Sequence, residues 1–408
     1  MDVPQVGEPP RFLLLLPPLP SPATGAALKT AYGESIGQVL KEVATHSSDH
    51  PKAAVLEIAL ACSHLAVKRH ATRSSLYDET QAFVAGLYKL ITMIAAQEGI
   101  NTEDDDGVDA RVLLIAWSPE VQQSAPQPSP YGPVIDLGTL ARSGRQWQFA
   151  FGVESESGEA MVRAFVTEKG QSAEVNRVLG GPVMNAPESA QTESTHSSAP
   201  ENPQYQKHFD VINGGTWDHL HVGHKLLITM TIFAVDEEEA PKERSATIGI
   251  TGDALLVNKK HANLVQSWVD RQKAVATFFN AIIDFSTEAS RGQRHASIRD
   301  EPGPNGKSID ISYPHGLVVK CTEIQDPYGP TITEENLSAL VLSAETRSGG
   351  KAVNDKRKEL GWHLLDVYEV DVLDVGEGSD VKEGFEDKIS STGIREKLAR
   401  KARAGGKI

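Results

Sequence analysis

The segment Gly-Gly-Thr-Trp-Asp-His-Leu-His-Val-Gly-His-Lys, residues 214–225, constrains the fold of this 408-residue chain more than any other. It follows a short apolar run at 209–212 that is typical of a buried strand, and its two leading glycines allow a sharp turn. From Val222 onward, apolar residues recur at helical spacing, so we expect a helix that packs one face inward. The segment therefore predicts a strand, a tight turn and a helix.

Two histidines lie at the start of this predicted helix. Because residues three apart share one side of a helical turn, we expect His221 and His224 to lie on the same side. Unpaired backbone N–H groups and the helix dipole favour an anion there, and imidazoles can donate hydrogen bonds to phosphoryl oxygens. Thr216 and Lys225 add a hydroxyl group and a positive charge nearby. The pattern indicates a phosphate-binding site.

The same histidines allow two other interpretations. One is a zinc or iron site built from His219, His221 and His224, and the other is a polar helix cap. A metal site needs a further ligand, and the segment offers only Asp218. The strand–turn–helix context favours phosphate binding, and we expect no metal ion held by the protein alone.

Three further motifs follow in the second half of the chain. They are Asp-Pro-Tyr-Gly-Pro at 326–330, Ser-Ala-Glu-Thr at 343–346 with Val-Asn at 353–354, and Ile-Ser-Ser-Thr-Gly-Ile-Arg at 389–395. With His-Val-Gly-His at 221–224, they resemble the eukaryotic-type phosphopantetheine adenylyltransferases of the HxGH nucleotidyltransferase superfamily, including the adenylyltransferase domain of coenzyme A synthase. The resemblance covers about half of the chain, 207–398. It implies an α/β fold in which a doubly wound, parallel five-stranded nucleotide-binding sheet follows a separate, smaller α/β domain.

The resemblance also implies an activity, the adenylyl transfer from ATP to 4′-phosphopantetheine that yields dephospho-coenzyme A and pyrophosphate. Mg²⁺ would enter with ATP, held mainly by phosphates and water. Two alternatives stay open. The acceptor could be another phosphorylated molecule, such as nicotinate mononucleotide or a choline-type phosphate, or the chain could be a scaffold subunit that retains the fold. The motifs at 326–330 and 343–354 favour phosphopantetheine.

Family roles carry over onto the matching positions of this chain. His224, His221 and Lys260 take catalytic positions. Thr216, Lys259 and Arg347 take positions that meet the acceptor, and the resemblance leaves open which of Lys259 and Lys260 neutralises its phosphate. Arg347 stands where relatives often have tyrosine, which puts its contact with substrate in doubt. The positions implied for ATP binding are Gly214, Gly215, His221, His224, Ser343, Glu345, Asn354, Arg357, Ser390, Ser391, Thr392 and Arg395.

The composition of the chain limits the kinds of partner that it can bind and the compartment in which it is found. A net charge of −15 argues against a nucleic acid or an acidic membrane surface. Cys62 and Cys321 lie in separate apolar segments, which indicates buried thiols, a reducing compartment and a cytoplasmic location, with nuclear presence also compatible. No GxxxxGK[ST] loop occurs, so we expect a separate dephospho-coenzyme A kinase, and a coenzyme A biosynthetic complex is a further partner that the resemblance suggests.

The chain divides into three predicted parts. Residues 1–169 form an α/β domain of unknown role, with strands at 12–16 and 111–117, helices at 31–45 and 76–97, and a hairpin over 146–153 and 160–167. Residues 170–205, rich in Ser, Pro, Gln, Glu and Asn, predict a disordered linker. Residues 206–408 form the nucleotidyltransferase domain, with a flexible insertion at about 286–310. We expect activity to survive removal of the first domain.

Overall fold

Apolar segments of the first half of the chain pair as parallel strands. The computed structural model describes residues 7–19, 24–47, 50, 52–103, 107–121, 129–170, 173–182, 205–237, 243–287, 293–373 and 390–404. The strands of the first half are β1 (Arg11–Leu16), β2 (Ala54–Ala61), β3 (Val108–Ile115), β4 (Val134–Ile135), β5 (Phe149–Glu154) and β6 (Asn176–Leu179). The helices are α1 (Gly25–Ser47), α2 (Ser63–Val67), α3 (Arg73–Gln97), α4 (Leu137–Arg142) and α5 (Glu156–Lys169). In the described part the six strands form one all-parallel sheet, in the order β4-β3-β2-β1-β5-β6.

Two predictions for this half are wrong. The second arm of the expected hairpin at 160–167 belongs to the helix α5, which begins where the Ser155 side chain accepts a hydrogen bond from the Gly158 backbone N–H. Residues 176–179, placed in the linker, form the edge strand β6 beside β5. The first sheet therefore extends beyond residue 169. Residues 183–204, which make up most of the predicted linker, lie outside the described residues.

The second half contains a mixed sheet. Its strands are β7 (Asp210–Gly215), β8 (Arg244–Thr251), β9 (His295–Asp300), β10 (Lys307–Ser312), β11 (Leu317–Ile324), β12 (Ala339–Ser343) and β13 (Asp366–Val370). The helices are α6 (Val222–Phe233), α7 (Trp268–Ile283), α8 (Arg347–Glu359) and α9 (Ser391–Ala404). The order in the described part is β13-β12-β7-β8-β11-β10-β9. The strand predicted at 209–212 and the helix predicted from Val222 are confirmed.

The second sheet was expected to have five strands, and it has seven in the described part of the chain. Five of them, from β13 to β11, are parallel, and β10 and β9 add an antiparallel pair at the edge. This pair occupies most of the predicted flexible insertion. The many polar residues of this strand pair mask the apolar alternation that predicts a strand. Ile309 and Ile311 lie on the side of β10 that faces the protein interior.

Helices cover both faces of the second sheet. Val211 and Val341 belong to the large apolar cluster that contains residues of α6 and α7. Their neighbours Ile212 and Leu340 belong to a smaller cluster that includes Val353 of α8. Alternate strand residues thus point to opposite faces, as the pleat of a strand requires.

The first domain packs against the α6 side of the second sheet. The large apolar cluster runs through both halves of the chain without a break. Tyr77 of α3, for example, lies 6.4 Å from Phe233 of α6 and 4.6 Å from Tyr368 of β13, measured between ring centroids. The two domains therefore share a core, which was not expected from the sequence. In the part of the chain that the structure describes, no helix is long and apolar enough to cross a bilayer.

Candidate active site

The parallel strands of the second sheet end at one edge, around the start of α6. Gly215 at the end of β7 pairs with Ile250 near the end of β8, and β12 ends at Ser343. The order of the strands along the chain reverses between β7 and β12. Crevices at such reversals are the usual ligand sites of open α/β sheets, so this edge is the first place to seek a site.

The loop between β7 and α6 has a strained backbone. Trp217 has φ 59° and His219 has φ 47°, values that residues with a side chain rarely adopt. Trp217 is fully buried, and its Nε1 donates a hydrogen bond to the Gly249 carbonyl oxygen at 2.8 Å. A Cβ on Gly215 would lie 3.0 Å from the Trp217 ring, so a glycine permits this packing. These contacts fix the direction in which α6 begins.

Asp218, between the two strained residues, is fully buried and joins three segments. Its Oδ1 accepts a hydrogen bond from the Gln266 backbone N–H at 2.9 Å, and its Oδ2 forms an ion pair with Nη1 of Arg395. Arg395 also donates from Nε to the Lys260 carbonyl oxygen at 3.0 Å. The loop before α6, the loop after β8 and the first turn of α9 therefore meet at one ion pair.

His221 and His224 lie together at the start of α6, as the spacing predicts. Their rings stack with centroids 3.9 Å apart and planes 21° apart, and the Trp217 ring lies 5.2 Å from His224. The Nδ1 atom of each histidine is buried and has no hydrogen-bond partner among the residues that the structure describes. Buried polar atoms usually have a partner, so the two Nδ1 atoms at a helix N-terminus leave capacity for a bound ligand.

Burial keeps both imidazoles neutral. It lowers the pKa of His221 to about 3, with smaller contributions from the charges of Lys225 and His219. It lowers the pKa of His224 well below its ordinary value, with smaller contributions from His221 and His219. At neutral pH each ring therefore carries one N–H donor and one acceptor nitrogen.

Arg271 is a site residue that the sequence analysis missed. It is fully buried on α7 and donates from Nη1 to the Thr216 carbonyl oxygen and from Nη2 to Asp253 Oδ1, both at 2.6 Å. Its Nε donates to the Gln266 carbonyl oxygen at 3.0 Å. Arg271 thus holds the half-buried Thr216 against the loop after β8. A signal was present, because a charged residue stands between Trp268 and Val275 on the apolar face of the helix.

A cleft of about 370 Å³ lies in the loop between β8 and α7. Its walls include apolar Leu256, Val257 and Val265 and polar Asp253 and Gln266. The volume is within the range of small-molecule sites, which combine apolar walls with a few polar groups. The cleft is next to the strained loop, since Gln266 contacts Asp218 and Asp253 contacts Arg271.

The two candidate lysines follow in the same loop and differ in their partners. Lys260 forms an ion pair with Glu396 of α9, although its side chain is 65% exposed. The exposed Lys259 forms no side-chain ion pair with any residue in the described ranges. Lys259 therefore has its charge available to a ligand, whereas a ligand of Lys260 must compete with Glu396.

Side-chain hydroxyl groups accept hydrogen bonds at the start of α9. Ser390 accepts a hydrogen bond on Oγ from the Gly393 backbone N–H at 3.2 Å. Thr392 accepts one on Oγ1 from Arg395 Nη2 at 3.1 Å. Ser390, Ser391 and Thr392 are half-buried, so their hydroxyl groups remain within reach of a ligand. Arg395 is almost fully buried and donates to Asp218, Thr392 and the Lys260 carbonyl oxygen, so the side chain expected to contact phosphate is already bonded to protein groups.

On the other side of the reversal point, Ser343 and Glu345 follow the end of β12. Ser343 is half-buried and Glu345 is exposed. Arg347 begins α8 and forms a bidentate ion pair with Glu369 of β13, at 2.7 and 2.6 Å, on the solvent-exposed surface. The glycine turn, Ser343 and Glu345 thus border the same crevice, whereas Arg347 already has a protein partner.

Arg357 does not face the nucleotide crevice as predicted. The side chain is fully buried, and its five N–H groups donate five hydrogen bonds to backbone carbonyl oxygens. None of these N–H groups is left for ATP. Those carbonyl oxygens belong to Thr331, Glu334, Glu335, Leu337 and His363. Asn354 is likewise engaged, since its amide donates to the Leu365 carbonyl oxygen at 3.0 Å and accepts from the Leu365 N–H at 2.8 Å. Both side chains hold the loops around α8.

Two other residues of the segment 214–225 have side chains that bond to other parts of the protein. Lys225 is buried and donates from Nζ to Asp109 of the first domain, at 2.5 Å from Oδ1, so it adds no charge to the site. His219 bonds through Nε2 to the Leu264 carbonyl oxygen at 3.0 Å. In the ranges that the structure describes, no group of three or more His, Cys, Asp or Glu residues could hold a metal ion.

The chain is similar to known proteins over parts of its length. A family model described as a domain of unknown function (DUF8446) matches residues 1–184. An uncharacterized protein of Schizosaccharomyces pombe is 32% identical over 190 residues, which are 46% of this chain and 48% of that protein. The phosphopantetheine adenylyltransferase of Saccharomyces cerevisiae is 32% identical over 200 residues, which are 48% of this chain and 52% of that enzyme.

An archaeal protein is covered more fully. The phosphopantetheine adenylyltransferase of Pyrobaculum aerophilum is 27% identical over 192 residues, 47% of this chain and 92% of that enzyme. The chain spans about half the length of the two yeast relatives. It is therefore distantly similar to phosphopantetheine adenylyltransferases over about half of its own length, which indicates a relation to nucleotidyltransferases.

Proposed function

We propose that this chain transfers the adenylyl group of ATP to 4′-phosphopantetheine, giving dephospho-coenzyme A and pyrophosphate. The observation that carries the proposal is the stacked pair of neutral imidazoles, His221 and His224, at a helix N-terminus, where the Nδ1 atom of each ring has no hydrogen-bond partner in the described part of the chain. The distant similarity to phosphopantetheine adenylyltransferases supports the same activity.

In the proposed complex, ATP occupies the crevice between the ends of β7 and β12. The adenosine lies toward Ser343 and Glu345, and the phosphates lie across Gly214 and Gly215 toward the start of α6. The close approach of phosphates to a glycine turn and a helix N-terminus is favoured by unpaired N–H groups and the absence of Cβ atoms. The hydroxyl groups of 390–392 then lie near the β- and γ-phosphates.

The chemistry requires alignment more than proton transfer. A phosphate oxygen of the acceptor attacks the α-phosphorus of ATP, and the bond from that phosphorus to the oxygen bridging the β-phosphate breaks. Because the acceptor phosphate is largely a dianion near pH 7, no base is needed to remove a proton. Neutral His224, with His221 stacked on it, donates to the α-phosphate oxygens on which charge increases.

The acceptor is proposed to lie in the cleft after β8. The methyl and methylene groups of its linear arm lie beside Leu256, Val257 and Val265, its amides lie toward the polar groups of the cleft, and its phosphate is directed toward Thr216 and Lys259. Lys259 is the better candidate for this contact, because Lys260 is paired with Glu396.

Mg²⁺ is proposed to enter bound to the ATP phosphates. The buried carboxylate of Asp218 is paired with Arg395, and the exposed carboxylate of Asp253 is paired with Arg271. These residues do not fit a site in which the protein alone holds the ion, but they leave a phosphate-bound and hydrated ion room at the open edge. When bound, Mg²⁺ neutralises charge on the departing pyrophosphate.

The test is a comparison of acceptors with the purified full chain and MgATP. We expect pyrophosphate and dephospho-coenzyme A with 4′-phosphopantetheine, and far slower turnover with nicotinate mononucleotide or phosphocholine. His224→Ala should lower kcat by about a hundredfold to a thousandfold, while the exposed control His295→Ala should leave it unchanged. Faster turnover of another acceptor would replace phosphopantetheine in the proposal. Absence of turnover with every acceptor would favour a scaffold role.

A further inference from the structure

The helix that carries the two histidines is anchored in the first domain. Lys225 follows His224 directly and is 4% exposed. Its Nζ donates to Asp109 Oδ1 at 2.5 Å and to the Ala110 carbonyl oxygen at 3.0 Å, both on β3. The Lys225 backbone N–H donates to the His221 carbonyl oxygen at 3.0 Å, which closes the first turn of α6. One residue therefore links the turn of the histidines to the other domain.

Asp109 is itself held in place. Arg111 donates to its Oδ2 from Nε at 2.9 Å and from Nη2 at 2.5 Å. The two positive charges of Arg111 and Lys225 lower the pKa of the Asp109 carboxyl against the opposing effect of burial. The carboxylate is therefore charged and has a fixed orientation, as a rigid anchor for a buried ammonium group requires.

A second buried group ties the first domain to α7, the helix of Arg271. Glu57, fully buried on β2, accepts a hydrogen bond from Arg145 at 2.9 Å. Arg145 in turn donates to the carbonyl oxygens of Ala281 and Asp284 at the end of α7, at 2.5 and 3.0 Å. The helix that follows the histidine turn and the helix of Arg271 are thus both fastened to the first domain.

We propose that Asp109 is a positioning residue for the candidate active site. By anchoring Lys225 it fixes the rotation of the first turn of α6, and with it the direction of the His221 and His224 rings. This inference rests on the proposed function of those rings. It also gives the first domain a role, and it reverses the expectation that the second half acts without it.

The test compares Asp109→Asn, Lys225→Met and the double variant in the full chain. Each single change should lower kcat by about tenfold to a hundredfold with little change in KM for ATP, since misplacing aligned groups affects the reaction step. The double variant should be no slower than the slower single variant, because both changes remove the same anchor. The control is Glu237→Gln, which breaks another interdomain ion pair, with Arg73, at the far end of α6. It should leave kcat unchanged.

A second measurement needs no turnover. The ring signals of His221 and His224, observed by NMR with carbon-labelled histidine, should shift in Asp109→Asn and not in Glu237→Gln. Should Asp109→Asn not fold, Asp109→Glu, which keeps the charge and moves the carboxylate, is measured by the same two methods. Normal kcat and unchanged ring signals in a folded Asp109 variant would overturn the inference, as would equal effects of Glu237→Gln. A wild-type chain without adenylyl transfer would instead refute the proposed function, and the ring signals would still decide this inference.

Discussion

Arg395 and Asp218 form a buried ion pair that joins the first turn of α9 to the loop before α6. The two residues are 177 positions apart in the chain and belong to two different sequence motifs. Their pairing brings the serine and threonine hydroxyl groups of 390–392 to the same edge as the histidines. The pair therefore holds the two motifs together at one edge of the second sheet.

Removal of one partner of the pair should be costly. Arg395→Met leaves the Asp218 carboxylate buried without its cation, and we expect the free energy of unfolding to fall by about 3–5 kcal/mol. Urea titration measures the change. Arg400→Met, on the same helix but 80% exposed and 3.9 Å from Glu396, should change it by less than about 0.5 kcal/mol. Equal effects of the two variants would show that the buried pair has no special contribution.

Gly223→Ala should separate stability from activity. Alanine is favoured over glycine in a helix by about 0.5–1 kcal/mol, but a Cβ at this position would lie 3.2 Å from the His221 ring and push it away. We therefore expect a melting temperature that is unchanged or higher, together with a lower kcat. In the control Gly33→Ala, on α1, the new Cβ would meet no atom closer than 3.8 Å, so kcat should stay normal. Normal kcat in Gly223→Ala would remove His221 from the site.

Arg357→Lys should weaken the fold and leave ATP binding unchanged. Lysine has three donors where arginine has five, so backbone carbonyl oxygens of the 331–337 loop lose their partners, at about 1–3 kcal/mol. The unfolding free energy should fall while KM for ATP stays within about twofold. The neighbouring Lys356→Gln, paired only on the surface with Glu359, should alter neither quantity. A large rise in KM with normal stability would restore Arg357 to the nucleotide site.

Stability should depend on pH through His221. Its pKa is about 3 in the folded chain, so below the ordinary value of 6.5 the unfolded chain binds more protons. The contribution of this group is therefore fully present above pH 6.5 and is lost at up to about 1.4 kcal/mol per pH unit as the pH falls toward 3. His221→Gln should flatten the decline of unfolding free energy between pH 6.5 and 4. Parallel curves for the two proteins would mean that His221 titrates normally.

Much of the second sheet could be predicted from periodicity. The strand at 209–212 and the helix from Val222 are present as predicted, because apolar spacing and a glycine turn are local signals. The hairpin of β9 and β10 was not predicted. The strand β9 lies exposed at the edge of the sheet and carries polar residues such as His295 and Arg299. Its sequence therefore lacks the apolar alternation on which such predictions depend.

The partners of charged residues could not be read from the sequence. Arg357 and Arg395 both take positions that the resemblance implies for ATP binding, but in the fold Arg357 bonds to backbone carbonyl oxygens and Arg395 to Asp218. Lys225 adjoins His224 in sequence and yet contacts the first domain. Such pairings depend on residues far apart in the chain. The position of His221 and His224 on one side of the helix start depends only on helical spacing and was predicted, whereas the stacking of their rings was not.

In the proposed reaction, the adenylyl group of ATP moves to the acceptor together with its α-phosphorus. Phosphorus NMR of the full chain with MgATP and 4′-phosphopantetheine tests it most directly, because each phosphorus atom is followed to its product. We expect loss of the ATP signals with equal gain of free pyrophosphate and of a new pyrophosphate diester that contains the former α-phosphorus. Formation of ADP and inorganic phosphate, or unchanged ATP in the presence of a folded chain, would contradict it.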